Sequence, residues 1–240
     1  MNIINIATFS QRKDQIKATA QSLSHQADLI NIVFNDYLKV PDWILEFPNI
    51  QGLLPERNIK DEGKFMIETQ ADDMVMLCDD DIIYPPDYVA TMISQWQKYA
   101  AAEAIVGVHG IIYPDFFDGR PESRQVFEFR FKLGSPRTVS QLGTGTVVCK
   151  GYQMPDYEWM EGAAGYVDVR FARHALNKGY PLICIERDDH WLQQQDTQDN
   201  LYQSASGKWE KDVIKETLEI AGFLRIRPIG RLLGSSDCIL

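Results

Sequence analysis

At 240 residues and 45% hydrophobic composition, the chain is long enough to bury roughly 70–75% of its unfolded surface as one domain. Its formal net charge of −10 excludes a nucleic-acid surface, because phosphate backbones are bound by clustered Lys and Arg. It still admits an anionic nucleotide bridged by a divalent cation.

Residues 2–8 form a strand-like apolar run. Residues 12–25 follow with Ile16, Ala20 and Leu23 at helical spacing, and residues 29–34 are a second apolar strand. This β-α-β opening predicts parallel strands joined by a right-handed crossover. Residues 50–53 read as a third strand, 61–71 as a helix, and 74–78 as a buried strand ending in Asp79, Asp80 and Asp81. Pro86 stands where the first turn of a helix tolerates proline, and Tyr88, Met92, Ile93 and Trp96 mark that helix's apolar face. Residues 104–108 follow as a strand, residues 126–131 alternate in strand fashion, and residues 146–149 are short and apolar. From Asp168, the apolar Val169, Ala172 and Leu176 lead to Gly179 as a helix leads to its C-cap. The expectation is an α/β, Rossmann-like single domain, with a mixed, mostly parallel sheet flanked by helices. It covers residues 1–222, in halves 1–109 and 110–222, and residues 223–240 form a tail.

Cys78, Cys149, Cys184 and Cys238 show no metal-ligand spacing, which argues against a zinc site. Three of them lie in apolar runs and read as reduced thiols packed as small hydrophobes, which points to the cytoplasm. The amino terminus lacks a basic region followed by a long apolar stretch, and no segment reaches the ~18 apolar residues of a membrane span. Residues 223–233 mix arginines with apolar side chains. The simpler reading is a tail packed on the domain with solvated arginines, and any peripheral contact with an anionic membrane is expected there.

Three adjacent carboxylates repel one another and are costly to desolvate, so a cluster at the end of a core strand calls for a cation. Along an extended strand Asp79 and Asp81 would share one side, with Asp80 opposite. Hard carboxylate oxygens suit Mn²⁺ or Mg²⁺, which take one or two protein carboxylates and leave positions for substrate phosphates. An acidic loop capping the following helix is the structural alternative.

The stretch MLCDDDIIYPPDYV, preceded by Asp61, Gly63, Lys64 and Phe65, resembles the bacterial GT-A glycosyltransferases related to family 2. The resemblance continues through VGVHG, LGTGTVVCK, YVDVRFARHALNKGYP and RDDHWL. It implies a nucleotide-sugar donor, UDP-linked as the first expectation, bound by residues 1–109. It implies a saccharide or lipid-linked acceptor on residues 110–222, in surface polysaccharide synthesis. Carried over, the pattern puts base and ribose against residues 8–12, including Thr8 and Arg12, and against Asp36. Asp36 is equally readable as the start of a turn. Lys64, with Arg12, is a candidate for the donor phosphates. Asp79 and Asp80 fall at the donor, with Asp80 facing either the ribose or merely the loop, Asp79 and Asp81 fall at the metal, and His190 falls at a further metal position, where a packed or solvated histidine is the equal alternative.

The resemblance makes Asp168 the catalytic base in an inverting transfer, although an N-cap role would serve the same residue type. The usual acidic pair is here Val167-Asp168, which leaves Glu158 and Glu161 as alternatives. His109 is expected to line the pocket wall or to pack. Tyr157, Trp159 and Trp191 are candidates to stack on an acceptor sugar or to join the core. Two other classes remain: a sugar nucleotidyltransferase, which usually has a Gly-rich loop where residues 7–12 have no glycine, and a non-catalytic nucleotide-sugar-binding subunit.

Overall fold

The computed structural model describes residues 1–196 and 211–226, the side chains of 223–226 excepted. The strands β1 (Asn2–Phe9), β2 (Leu29–Asn35), β3 (Ile50–Leu53) and β4 (Met74–Cys78) come first, with α1 (Lys13–Leu23) after β1. Then follow β5 (Ile82–Ile83), α2 (Tyr88–Tyr99), β6 (Ile105–Gly107), β7 (Gly110–Ile112), β8 (Gln125–Phe127), β9 (Arg137–Thr138), β10 (Gln141–Leu142) and β11 (Thr146–Lys150). The order closes with α3 (Tyr157–Met160), α4 (Val167–Lys178), β12 (Leu182–Cys184), β13 (Gln193–Gln194) and the helix α5 (Lys211–Ile226).

The central sheet has eight strands in the order β3-β2-β1-β4-β11-β6-β12-β9. β1 pairs in parallel with β2 and β4, β2 with β3, and β6 with β12. β11 runs antiparallel to both β4 and β6, and β9 antiparallel to β12. The fold is thus α/β with a mostly parallel sheet flanked by helices, compatible with a Rossmann-like arrangement. The chain moves outward from β1 to β3 and then returns to β4 on the other side of β1. That reversal falls at the carboxyl ends of β1 and β4, the position where open α/β sheets bind ligands.

The continuous apolar run of β4 follows from burial on both faces. Met74, Met76 and Cys78 join Ile4, Ile6, Ile30, Ile32, Ile16 and Leu23 in one core, with Tyr88 and Met92 of α2. Val75 and Leu77 join Val147, Cys149, Phe171, Ala172 and Ala175 in the other. Each Val, Leu, Ile, Phe or Met among these contributes about 1.5–3 kcal/mol by leaving water. Cys78, Cys149 and Cys184 are buried free thiols, as their apolar surroundings predict. Cys238 lies outside the described residues.

Two segments differ from the sequence expectation. Residues 61–71 do not form an α-helix; a short 3-10 helix, Lys60–Phe65, stands there. Its backbone is captured by asparagines of the sheet. Asn35 accepts from Ile59 N at 2.9 Å and donates to Lys60 O at 3.0 Å, and Asn5 donates to Lys64 O at 3.2 Å. Asparagine amides compete in this way with helical hydrogen bonding. The strand expected at 126–131 ends at Phe127. The Glu128 carbonyl turns to the buried Arg187 guanidinium at 2.6 Å and to Phe131 N at 3.1 Å.

Pro86 precedes α2, which begins at Tyr88, and Tyr88 and Met92 are buried. α5 runs through residue 222 to Ile226, and residues 227–240 of the expected tail lie outside the described residues. Among the described residues no helix is long and apolar enough to cross a membrane.

Candidate functional site

β4 ends at Cys78, and Asp79, Asp80 and Asp81 turn away from the sheet before β5. The alternation expected of an extended strand therefore does not hold. Instead Arg12, just before α1, brings Asp80 and Asp81 together: one guanidinium nitrogen, Nη1, lies 2.6 Å from Asp80 Oδ1 and 2.9 Å from Asp81 Oδ2. The Thr8 hydroxyl, near the end of β1, donates to the other Asp80 oxygen at 2.7 Å. Thr19 of α1 donates to the carbonyls of Asp80 and Ile82 at 2.9 and 2.8 Å, fixing the turn's backbone.

Asp79 points elsewhere and is the most open of the three, with 43% of its side chain exposed. The buried ammonium of Lys64 pairs with Asp79 Oδ1 and lies 3.4 Å from Thr144 O. A β-carbon at Gly145 would overlap Asp79 Oδ2, so the carboxylate rests directly on that glycine's backbone. The Tyr84 hydroxyl holds both sides of this contact, donating to Gly145 O at 2.7 Å and accepting from Asp79 N at 2.9 Å.

The same turn reaches Asp168. Its Oδ1 accepts from Thr144 N at 2.8 Å and from the Thr144 hydroxyl at 2.6 Å. Asp168 lies in the first turn of α4, whose N-cap position is Tyr166 and which has no side-chain cap bond. Its carboxylate thus binds a neighbouring loop and does not cap its own helix. Thr144 and Gly145 join the aspartate turn to Asp168 within two residues.

The electrostatics are those of an under-neutralised acidic site. Asp61, Asp79, Asp80, Asp81 and Asp168 gather around Arg12 and Lys64, five carboxylates against two cations. Burial opposes both cationic charges, but the aspartates outweigh it and raise both above their ordinary values. Burial, then the charge of Asp79, pushes Asp81 up to about 6. Burial also pushes Asp61 up to about 6, with a smaller contribution from Asp168 and against the Gly165 amide and Lys64.

For a carboxyl raised above its unfolded value of about 3.9, the folded protein holds the extra proton. Stability is then fully present below that value and is lost as pH rises through the folded one. In metal-free buffer, urea unfolding of Asp81→Asn is therefore expected to gain on the parent protein between about pH 4 and about pH 6. A constant difference across that window would contradict the assignment.

The remaining candidates are placed as follows. Asp36 follows β2 with φ of 60° and accepts from the Asn58 amide, so its exposed carboxylate faces the loop before Lys60. The beginning of an Asx turn is found at Asn58 instead, whose Oδ1 accepts from Lys60 N at 2.9 Å. His190 is exposed, with φ of 55° and its backbone N–H on Arg130 O at 2.8 Å. It borders a cavity of about 380 Å³ lined also by Arg130, Leu192, Gln193 and Gln194. Its segment meets the aspartate turn through backbone, Gln195 N to Asp81 O at 2.7 Å.

His109 packs against Gly143 and Phe129, and burial lowers its pKa, keeping the ring neutral. Trp191 packs on Tyr88 at 5.8 Å and belongs to the core. Tyr157 packs partly buried against the other core. Trp159 faces Arg173 and His174. Glu161 pairs with Arg57 at the surface and Glu158 is exposed. Thr19, Tyr84, Thr144 and Gly145 are the members that sequence reading missed. The glycine between two threonines, in a run that closes on a strand, was the available signal for the last two.

Among the described residues no three His, Cys, Asp or Glu side chains are grouped as a metal shell. Mg²⁺ and Mn²⁺ sites that keep substrate phosphates need only one or two carboxylates. Asp79, half-open in a site with excess negative charge, is the carboxylate of the three left accessible to such an ion. Gly145→Ala is expected to displace the Asp79 carboxylate and weaken UDP binding in the presence of Mn²⁺ about tenfold or more, about 1.4 kcal/mol or above. Calorimetric affinity equal to the parent's would refute that use of the glycine.

No protein-family model matches the chain, and no curated protein is significantly similar to it.

Proposed function

We propose that the protein is a glycosyltransferase of GT-A type, moving a sugar from a nucleoside diphosphate, UDP first among them, to an acceptor hydroxyl with inversion. The observation that carries this reading is the turn at Thr144 and Gly145, which touches Asp168 through Thr144 and Asp79 through Gly145, near the reversal point of the sheet. An antiparallel β11 inserted beside β4 supports the GT-A assignment, since it delivers that turn to the end of the aspartate strand.

In this reading Asp36 borders the nucleoside, Thr8 fixes Asp80, and Asp79 and Asp81 would hold a divalent ion. When bound, that ion offsets charge developing on the diphosphate leaving group. Arg12 and Lys64 keep the aspartates in place. Asp168 is oriented by Thr144 through Oδ1, and its Oδ2 takes the acceptor proton. The acceptor oxygen forms the new bond to the anomeric carbon, and the old carbon–oxygen bond breaks with its electron pair going to the diphosphate. Two carboxylate roles with one base and one displacement give inversion.

The test is incubation of UDP-sugars with the protein and Mn²⁺. Release of UDP with free or transferred sugar is the expected result. Pyrophosphate release would identify a nucleotidyltransferase, and binding without turnover a nucleotide-sugar-binding subunit.

A further inference from the structure

We infer that Asp61 and Glu62 are positioning residues for Asp168, holding the start of α4 to the same turn that carries Lys64; the inference rests on the reading of Asp168 as base. The Glu62 carboxylate accepts from Ala164 N at 2.8 Å, and the Asp61 carboxylate from Gly165 N at 2.7 Å. These residues lie four and three positions before Asp168. Because α4 lacks a side-chain cap of its own, its start is held from outside, by these two bonds and by Thr144. Bonds from amides to ionised carboxylates are about twice as strong as neutral ones. Glu62 is only 3% exposed, and a carboxylate so buried is tolerated when its hydrogen bonds replace water.

The turn is itself anchored to β1 and β2 by Asn5 and Asn35, and Asn31 donates to Asn5 Oδ1 at 3.0 Å. A chain of polar contacts thus runs from the sheet through residues 59–65 to the head of α4. One rigid turn fixes Asp79 through Lys64 and Asp168 through Asp61 and Glu62. The separation of leaving-group site and base is set there. Misplacing a reacting group by 1 Å costs on the order of a hundredfold in rate.

The test compares Asp61→Ala with Asp61→Asn, whose amide oxygen still accepts from Gly165 N. Amide hydrogen exchange, measured without ligand, is expected to rise about tenfold or more at residues 164–168 in Asp61→Ala and to stay near the parent's in Asp61→Asn. In donor turnover, Asp61→Ala is expected to lose kcat about a hundredfold with donor KM unchanged, and Asp61→Asn to restore it. Unchanged exchange in Asp61→Ala would overturn the inference, as would an Asp61→Asn protein as impaired as Asp61→Ala. If the parent protein turns over no donor, the function proposed above fails, while the exchange comparison still decides the positioning role.

Discussion

Replacing Arg12 with methionine is expected to lower the unfolding free energy by about 3–5 kcal/mol, the cost of leaving a buried charge uncompensated. Arg12 is the cation that touches both Asp80 and Asp81, and its side chain is 10% exposed. Without it, two carboxylates only 5% and 11% exposed face each other with the Thr8 hydroxyl as remaining donor. The methionine fills much of the volume, so the loss reports charge and not a cavity. Urea denaturation at pH 7 measures it. The deficit should shrink toward pH 4, where the stranded carboxyls take up protons. A loss under about 1 kcal/mol would place the pair among the weak surface bridges and contradict its role as the turn's counter-ion.

The second large effect is kinetic. Asp168→Asn is expected to reduce sugar transfer about 10²–10⁴-fold, the usual range for removing a general base. UDP affinity should be preserved, because Thr144 can still donate to the amide oxygen and the aspartate turn is untouched. The split is the diagnostic. Transfer at the parent rate would remove Asp168 from the chemistry, and a parallel loss of UDP binding would make it a structural residue of the turn.

The parallel opening was legible because apolar strands and an amphipathic helix carry their own periods, as in Ile16, Ala20 and Leu23, all buried in α1. The aspartates were legible as a cluster because three adjacent carboxylates after an apolar run carry more negative charge than a helix cap needs. How they divide was not. That depended on the chain leaving the extended conformation at Cys78, and on Arg12 arriving from beyond β1, sixty-eight positions away from Asp80. The helix expected at 61–71 failed for a related reason. Local propensity could not register Asn5 and Asn35, which lie on other strands and take the backbone bonds a helix would use.

Asp168 was placed by motif order, but its partner was hidden. Thr144 reads as a loop residue until β11 is seen to pair against β4, which brings the neighbouring Gly145 onto Asp79 and leaves Thr144 to meet Asp168. Long-range pairing of this kind leaves no local trace in composition. Polar residues buried in the strands, such as Asn5, Asn31 and Asn35, are the nearest thing to a signal, since an amide in an apolar run must find partners.

Binding of a nucleoside diphosphate at the aspartate turn through a divalent ion is the proposal on which the other functional roles depend. Titration calorimetry of UDP, with GDP alongside, into the parent protein and Asp81→Asn, each with and without Mn²⁺, tests it most directly. UDP binding by the parent is expected to need Mn²⁺ and to weaken about tenfold or more, at least about 1.4 kcal/mol, in Asp81→Asn. Equal, metal-independent binding by both proteins would contradict it.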